Sequence, residues 1–202
     1  LYTTQSDGWI SSLAQSLFYI SVAKNITFGA NAFQFLIDAK TLFSFCTSVE
    51  NITIGANSFS SLNSLGDMFS NCSKLKSIDI SANTVNNINL AFSYCTSLES
   101  VKISATGCNI THGSPSPFNS CTSLTSINLG SNALFNFAIE GAELSIADCP
   151  VLLEADCNTL VNSLATSTVA PTLHVSTTTY TALSQFNLID AITEKGWTVS
   201  QL

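Results

Sequence analysis

Hydrophobic and polar positions along this chain follow one motif that returns at a nearly constant interval. A phenylalanine is followed three residues later by a cysteine, then by aliphatic residues three, six and eight positions beyond that cysteine. The cysteines of the four full copies are Cys46, Cys72, Cys95 and Cys121, at spacings of 26, 23 and 26 residues. A period of roughly 20–29 residues is typical of solenoids, in which each repeat forms one coil.

The end of each copy predicts a short β-strand. Apolar and polar residues alternate there, as in Ile78-Asp79-Ile80, and a period of two puts both apolar side chains on one face of a strand. Stacked copies then predict a parallel sheet with one strand per coil. The asparagine that follows, such as Asn57 or Asn83, is expected to close the turn with amide hydrogen bonds to the backbone.

The phenylalanines and cysteines that precede the strands predict two internal columns. Stacked coils would bring Phe43, Phe69, Phe92 and Phe118 together, with the four repeat cysteines beside them and Cys149 next in line. A metal site or a disulfide ladder is one interpretation of the cysteines. We favour compact buried thiols, because the chain has no C-x-x-C pair and equivalent positions offer no natural partner. The states of Cys108 and Cys157 stay open.

The two ends of the chain depart from the repeat and predict caps, which divide the chain into residues 1–22, 23–152 and 153–202. In the first segment, apolar residues at helical spacing predict a capping helix or a degenerate repeat; they are Trp9, Leu13, Leu17 and Ile20. The last segment predicts a helix over Leu152–Leu164, a strand over Thr172–Val175, and a single amphipathic helix over Thr178–Glu194. Gly196 would end that helix in a left-handed conformation, and Trp197 and Val199 would form a last strand.

Composition narrows the function. Only 9% of the residues are charged, there is no arginine, the net charge is −7 and the six lysine residues are scattered. A nucleic-acid reader needs clustered basic residues, so we expect no nucleic-acid partner. No apolar run approaches the ~18 residues of a membrane span, so no membrane insertion is expected.

Residues 18–152 resemble the BspA-type leucine-rich repeat, which carries this F-x-x-C-x-x-L-x-x-I-x-I pattern. The segment Lys195–Val199 is similar to the end of the cap that often follows such repeats. The resemblance implies an α/β, β-rich fold: a right-handed leucine-rich-repeat solenoid with a parallel concave sheet and a C-terminal helix-strand cap. It also implies a bacterial or phage-associated, cell-surface or extracellular protein with adhesion-like binding. The chain lacks the family's frequent proline after the strand, where it has Gly55, Ser81, Ser104 and Gly130.

The residues between the apolar strand positions are candidates for partner binding, because they face outward. They are Asn25, Thr27, Asn51, Thr53, Ser77, Asp79, Ser100, Lys102, Ser126 and Asn128. One position before each strand, Lys24, Glu50, Lys76 and Glu99 alternate in sign and predict a ladder of ion pairs. Two irregular stretches, 107–117 with His112 and 133–143 with Phe135 and Phe137, are insertions, which either mark a binding face or are tolerated surface loops without a partner.

An enzymatic role is not expected. The two histidines, His112 and His174, lie in different segments, and His174 is expected to point to solvent from its strand. The chain has no nucleophile, metal-protease or phosphate-loop motif, so we predict no catalytic residue, cofactor or metal. The first hypothesis is an extracellular binding or adhesion module with a protein or glycan partner. The alternative is a structural spacer or phage-fibre segment without its own ligand.

Overall fold

The structure of the chain is a computed structural model. It describes residues 23–62, 64–85, 87–104, 116–130, 143–150, 153–164 and 166–202. The predicted N-terminal cap lies outside these residues. Among them, no helix has the length and the apolar character needed to cross a membrane.

Five parallel strands, one per coil, form the first sheet. They are β1 Asn25–Phe28, β2 Asn51–Ile54, β3 Ser77–Thr84, β4 Ser100–Ser104 and β5 Ser126–Asn128, and they are hydrogen-bonded in chain order. The register aligns the same motif position in every coil: Ile26, Ile52, Ile78, Val101 and Ile127 are successive partners. The predicted parallel stacking of the repeats is therefore confirmed.

The apolar motif positions form one continuous core. Val49, Leu75, Leu98 and Leu124, which precede the strands, are fully buried. The strand residues of β2 alternate between exposed and buried, as a sheet with one face on the core requires. Burial of these aliphatic side chains stabilises neighbouring coils together, because no coil encloses a core by itself.

The predicted aromatic column is present inside the coils. Phe43 and Phe69 have ring centroids 5.4 Å apart and planes at 5°, and the Phe69–Phe92 and Phe92–Phe118 pairs follow at 5.5 and 5.8 Å. A second stack, between Phe33 and Phe59 with ring centroids 6.0 Å apart, was not predicted from the sequence. The sequence feature that could have predicted this stack is the repeated asparagine two residues before each phenylalanine, Asn31 and Asn57.

The cysteine column consists of buried thiols that donate hydrogen bonds to the previous coil. The Sγ atoms of Cys72, Cys95 and Cys121 lie 3.1, 3.0 and 3.0 Å from the carbonyl oxygens of Phe43, Phe69 and Phe92. These cysteines and Cys149 are free thiols, so the interpretation as compact apolar residues is confirmed for them. The thiol adds a hydrogen bond to a carbonyl group that is buried in the core.

The asparagines that end the motif, Asn31, Asn57 and Asn83, bond in two different ways, and Asn83 lies within β3 because that strand continues to Thr84. Asn83 is buried; its Oδ1 accepts from the backbone N–H of Phe59 at 3.0 Å, and its Nδ2 donates to the carbonyl of Gly55 at 3.3 Å. This is the predicted amide bonding. Asn31 and Asn57 are exposed instead and have φ values of 60° and 58°, a left-handed conformation that asparagine tolerates well.

The structure explains why proline is missing at three of the four motif positions where the family often has it, Gly55, Ser81 and Gly130. The backbone N–H of Gly55 donates to the carbonyl of Phe28 in the previous coil at 3.1 Å. The N–H groups of Ser81 and Gly130 donate to the side-chain oxygens of Asp79 and Asn128, each at 3.0 Å. Proline has no N–H group and would lose these bonds.

The C-terminal segment forms a second parallel sheet with helical crossovers. Strands β6 Glu143–Ile146, β7 Thr172–Val175 and β8 Thr198–Gln201 pair in that order, with α1 Glu154–Ser163 between the first two and α2 Thr177–Gln185 and α3 Leu188–Glu194 between the last two. The predicted strand over Thr172–Val175 and the last strand are confirmed, as is the helix after Leu152. Gly196 has φ 81°, as its predicted role requires. Strand β6 was not predicted.

The prediction of one helix over Thr178–Glu194 is wrong. The first helix ends at Gln185, and Asn187 has φ 56° before α3 begins. A left-handed residue cannot continue a right-handed helix. The break lets two shorter helices bury different residues, Thr179 and Leu183 on α2 and Ile192 on α3.

Helix α1 follows Cys149 where the earlier coils have a strand. The backbone N–H of Leu129, directly after β5, donates to the Oγ of Ser163 on α1 at 3.2 Å. Leu160 and Leu164 are fully buried. The helix thus covers the end of the core beside β5 and limits the exposed edge that a last strand would leave.

Candidate partner-binding face

The outward face of the first sheet carries the polar residues that the sequence predicted there. We use "outward face" for the side chains of Asn25, Thr27, Asn51, Thr53, Ser77, Asp79, Ser100, Lys102, Ser126 and Asn128. Register places them in two rows, one from Asn25 to Ser126 and one from Thr27 to Asn128. All are exposed or half-buried. The rows follow from the motif, because each coil contributes the same two positions.

The β1–β2 half of the outward face is uncharged. The Nδ2 of Asn51 donates to the Oδ1 of Asn25 at 2.8 Å, which fixes the two amide groups side by side. Thr27 and Thr53 are register partners in the next row and both are exposed. This half of the face therefore presents amide and hydroxyl groups at fixed positions.

The β3–β4 part of the face has one ion pair. The Nζ of Lys102 lies 3.0 Å from the Oδ2 of Asp79, and the Oδ1 of Asp79 accepts from the Ser81 hydroxyl at 2.6 Å and from the Ser81 N–H at 3.0 Å. Partial burial alone would raise the pKa of Asp79, but the Ser81 hydrogen bonds and the Lys102 charge together lower it. The carboxylate is thus held ionised and oriented.

A second charged row runs beside the outward face, one position before the strands. Glu50 lies between Lys24 at 3.6 Å and Lys76 at 3.3 Å, and the hydrogen bond and charge of Lys76, then the charge of Lys24, lower its pKa. The predicted ladder is confirmed for these three residues. The ladder does not continue to Glu99, because no cationic group of the described residues lies within 4.0 Å of its carboxylate.

The second sheet places His174 differently from the expectation. His174 is on β7, between its register partners Ser145 and Ser200, but its side chain is only 17% exposed and its Nε2 lies 3.7 Å from the Glu143 carboxylate. The predicted side of the strand is correct, because Leu173 and Val175 are the buried residues of β7, but the His174 side chain is mostly covered and not open to solvent. Strand β6, which supplies Glu143, had not been anticipated.

The remaining predicted site residues lie outside the described residues. They are His112, Phe135 and Phe137. The insertions that carry them are described only at their last residues, Ser116, Pro117 and Glu143. Their contribution to a binding face stays a prediction.

Two surface features were missed by the sequence analysis. The residue before each column cysteine is left-handed, with φ of 59°, 61°, 62° and 59° at Phe45, Asn71, Tyr94 and Ser120. Large aromatic side chains at two of these positions are exposed, Phe45 by 37% and Tyr94 by 49%. The sequence gives one sign of this exposure: the residue before each cysteine of the F-x-x-C motif varies between apolar and polar types, as exposed positions do.

One cavity lies among the described residues near the ends of β2 and β3. It has a volume of 220 Å³ and is lined by Asn57 and Ser60, which follow β2, and by Ala82 and Asn83 of β3. It is smaller than typical ligand pockets of roughly 300–1,000 Å³. Within the described ranges, no three His, Cys, Asp or Glu side chains are grouped so as to hold a metal ion.

Comparison with known proteins agrees with the repeat pattern. The sequence model of the BspA type leucine rich repeat region matches this chain in six copies over residues 11–137. The matched range is more than half of the 202 residues. Comparison with curated proteins and with solved structures finds no match.

Proposed function

The chain belongs to the BspA-type leucine-rich repeat family, and from that premise we propose that it is a binding or adhesion module that works outside the cell or on its surface. Members of such repeat families are typically interaction or surface modules and not enzymes. The partner is a protein or a glycan, and the outward face is its binding surface. No catalytic step is part of this proposal.

The observation that carries the proposal is the contrast between the two faces of the first sheet. The inward strand residues, such as Ile78 and Val101, are buried in the core, so their identity is explained by packing. The outward residues are exposed and repeat at the same register positions in each coil. A regular exposed face suits a weak contact that many copies strengthen together. His112, Phe135 and Phe137 are proposed as additional contacts from the insertions.

A display experiment tests this function. The chain is attached in many copies to a particle, and its binding to immobilised extracellular proteins and glycans is compared with that of an outward-face variant, Asn51→Ala with Thr53→Ala. The matched control is Asn162→Ala on the exposed side of α1. We expect the double variant to lose binding and the control to keep it. Equal binding by all three proteins, or none by wild type, would contradict the proposed face.

The alternative function, a spacer or phage-fibre segment, is favoured by a different observation. The stacked rings lie within 7° of parallel, and backbone hydrogen bonds join successive coils, as from Phe69 N–H to the Ala91 carbonyl at 3.0 Å. Such a column suits mechanical rigidity. A chain that resists stretching but shows no face-dependent binding in the display experiment would support the spacer over the adhesion module.

A further inference from the structure

We propose that the outward face binds an uncharged, extended polysaccharide that runs across the strands, with about one sugar per strand. This inference rests on the proposed function and names the partner class of the same face. Four observations carry it: the charge balance, the unused hydrogen-bonding groups, the strand spacing and the absence of anchoring side chains.

The charges on and beside the outward face are balanced, and all three of its lysines are paired with carboxylates. The chain has a net charge of −7, yet this surface has three lysines, Lys24, Lys76 and Lys102, against three acidic residues, Glu50, Asp79 and Glu99. Each of the three lysines lies within 4.0 Å of a carboxylate, at 3.6, 3.3 and 3.0 Å. An anionic polymer would have to break these pairs to find a cation, and electrostatic complementarity therefore favours a neutral partner.

The β1–β2 half of the face has donors and acceptors that no other described residue uses. The bond between Asn51 and Asn25 uses one N–H of Asn51 Nδ2 and one lone pair of Asn25 Oδ1. It leaves the Nδ2 of Asn25, the Oδ1 of Asn51 and the hydroxyls of Thr27 and Thr53, none of which bonds to another described residue. Amides and hydroxyls can both donate and accept, as the hydroxyls of a sugar require of their partners.

The spacing of these groups repeats along the sheet. Neighbouring strands lie ~4.8 Å apart, which is close to the advance of one hexose along an extended chain. A polysaccharide crossing β1, β2 and β3 would meet Asn25, Asn51 and Ser77 in one row and Thr27, Thr53 and Asp79 in the next. The sugars on β1 and β2 would each find one asparagine and one threonine, and the sugar on β3 would find the Ser77 hydroxyl beside the ion-paired Asp79.

A tight protein contact is less well supported by this face. Protein hot spots are enriched in Trp, Tyr and Arg that fill pockets, and the outward face has none of these residues. Its largest side chain, Lys102, is paired with Asp79. A weak contact repeated along a polymer requires no such anchor.

The test compares soluble neutral polysaccharides, such as xyloglucan, galactomannan and dextran, with dextran sulfate and with a panel of immobilised proteins. We expect binding to at least one neutral chain, with a change of less than about twofold in Kd between low and high salt, because no ion pairs form across the contact. Asn51→Ala and Thr53→Ala should each weaken it about fivefold, the effect of one hydrogen bond. Asn162→Ala should not change it.

The outcomes separate this inference from the proposed function. Binding to dextran sulfate or to a protein that is lost in Asn51→Ala would overturn the neutral-polysaccharide partner and leave the binding face in place. Binding to neutral chains that Asn51→Ala and Thr53→Ala leave unchanged would overturn the assignment of the site. No face-dependent binding to any probe would overturn both proposals.

Discussion

At the scale of single residues, the repeat positions are explained by contacts between one coil and the previous one. Each column thiol is small and apolar enough for the core, yet it donates to a phenylalanine carbonyl of the coil before it. The same carbonyls also accept from the backbone N–H of the cysteine in their own coil, for example Cys46 N–H to the Phe43 carbonyl at 3.2 Å. Alanine would fit but would remove the second donor, which joins two coils. Cysteine therefore serves packing and hydrogen bonding together.

The buried thiols should be chemically unreactive in the folded protein. Burial raises the pKa of Cys121 and Cys149, and nearby negative groups, including the Asp148 carboxylate, add to the effect. Because only the thiolate is nucleophilic, we expect iodoacetamide at mildly alkaline pH to leave both cysteines unlabelled in the native protein and to label them in urea. Mass spectrometry of the peptides measures this. Labelling of Cys149 as fast in the native state as in urea would contradict its buried position.

The two glycines that follow β1 and β2 make a matched pair for testing the approach of the coils. A Cβ on Gly55 would overlap the backbone of Gly29 and Ala30, whereas a Cβ on Gly29 would meet nothing within 4 Å. We expect Gly55→Ala to lower the free energy of unfolding by roughly 2–4 kcal/mol, and Gly29→Ala to change it by about 0.5 kcal/mol. Urea denaturation measures both. Similar losses in the two variants would show that the coils do not approach closely at Gly55.

At the scale of elements, strands of three to eight residues are too short to be stable alone and depend on their neighbours. Register is fixed twice, by the buried aliphatic residues and by the outward polar pairs. A slip of one residue would turn the buried set toward solvent. Ion pairs between coils also favour this register, because Glu50 lies between Lys24 of the previous coil and Lys76 of the next.

The Glu50 ion pairs should make stability depend on pH and salt. The folded state lowers the pKa of Glu50 from 4.5, so its contribution is complete above that pH and is lost as the pH falls through the folded value. We expect Glu50→Gln to have a lower Tm than wild type at neutral pH, with a difference that shrinks in acid and at high salt. Thermal melts measure this, with Glu194→Gln as the control. A difference that persists in acid would exclude the ion pairs as its cause.

At the scale of the whole molecule, the chain is a stack in which each coil contacts its neighbours, and stability depends on the interfaces between coils. The C-terminal end is closed by α1 beside β5 and by the second sheet. Thr179 of α2 donates to the carbonyl of Cys149 at 3.1 Å, and the backbone N–H of Leu129 donates to the Oγ of Ser163 on α1 at 3.2 Å. The cap and the repeats therefore form one continuous structure.

Damage to a central coil should spread through the stack. Ile78 is 2% exposed, so Ile78→Asp would put an unpaired charge into the core and cost about 4 kcal/mol or more. Ser77→Asp introduces the same charge on the exposed side and should change stability by about 0.5 kcal/mol or less. Circular dichroism during thermal unfolding compares them. Equal melting of the two variants would show that the inside and outside of β3 are wrongly assigned.

The sequence alone determined the repeated part of the fold and the composition of its outward face. Motif spacing predicted the strands, their parallel stacking, both columns and the polar rows from Asn51 to Asn128, because a period of two assigns faces and a repeat assigns neighbours. Tertiary structure alone decided the parts without a repeat. Strand β6 exists because β7 pairs with it, the helix breaks at Asn187 because two faces must be buried, and β6 and β8 cover His174. Pairing between distant segments depends on contacts that local periodicity does not encode.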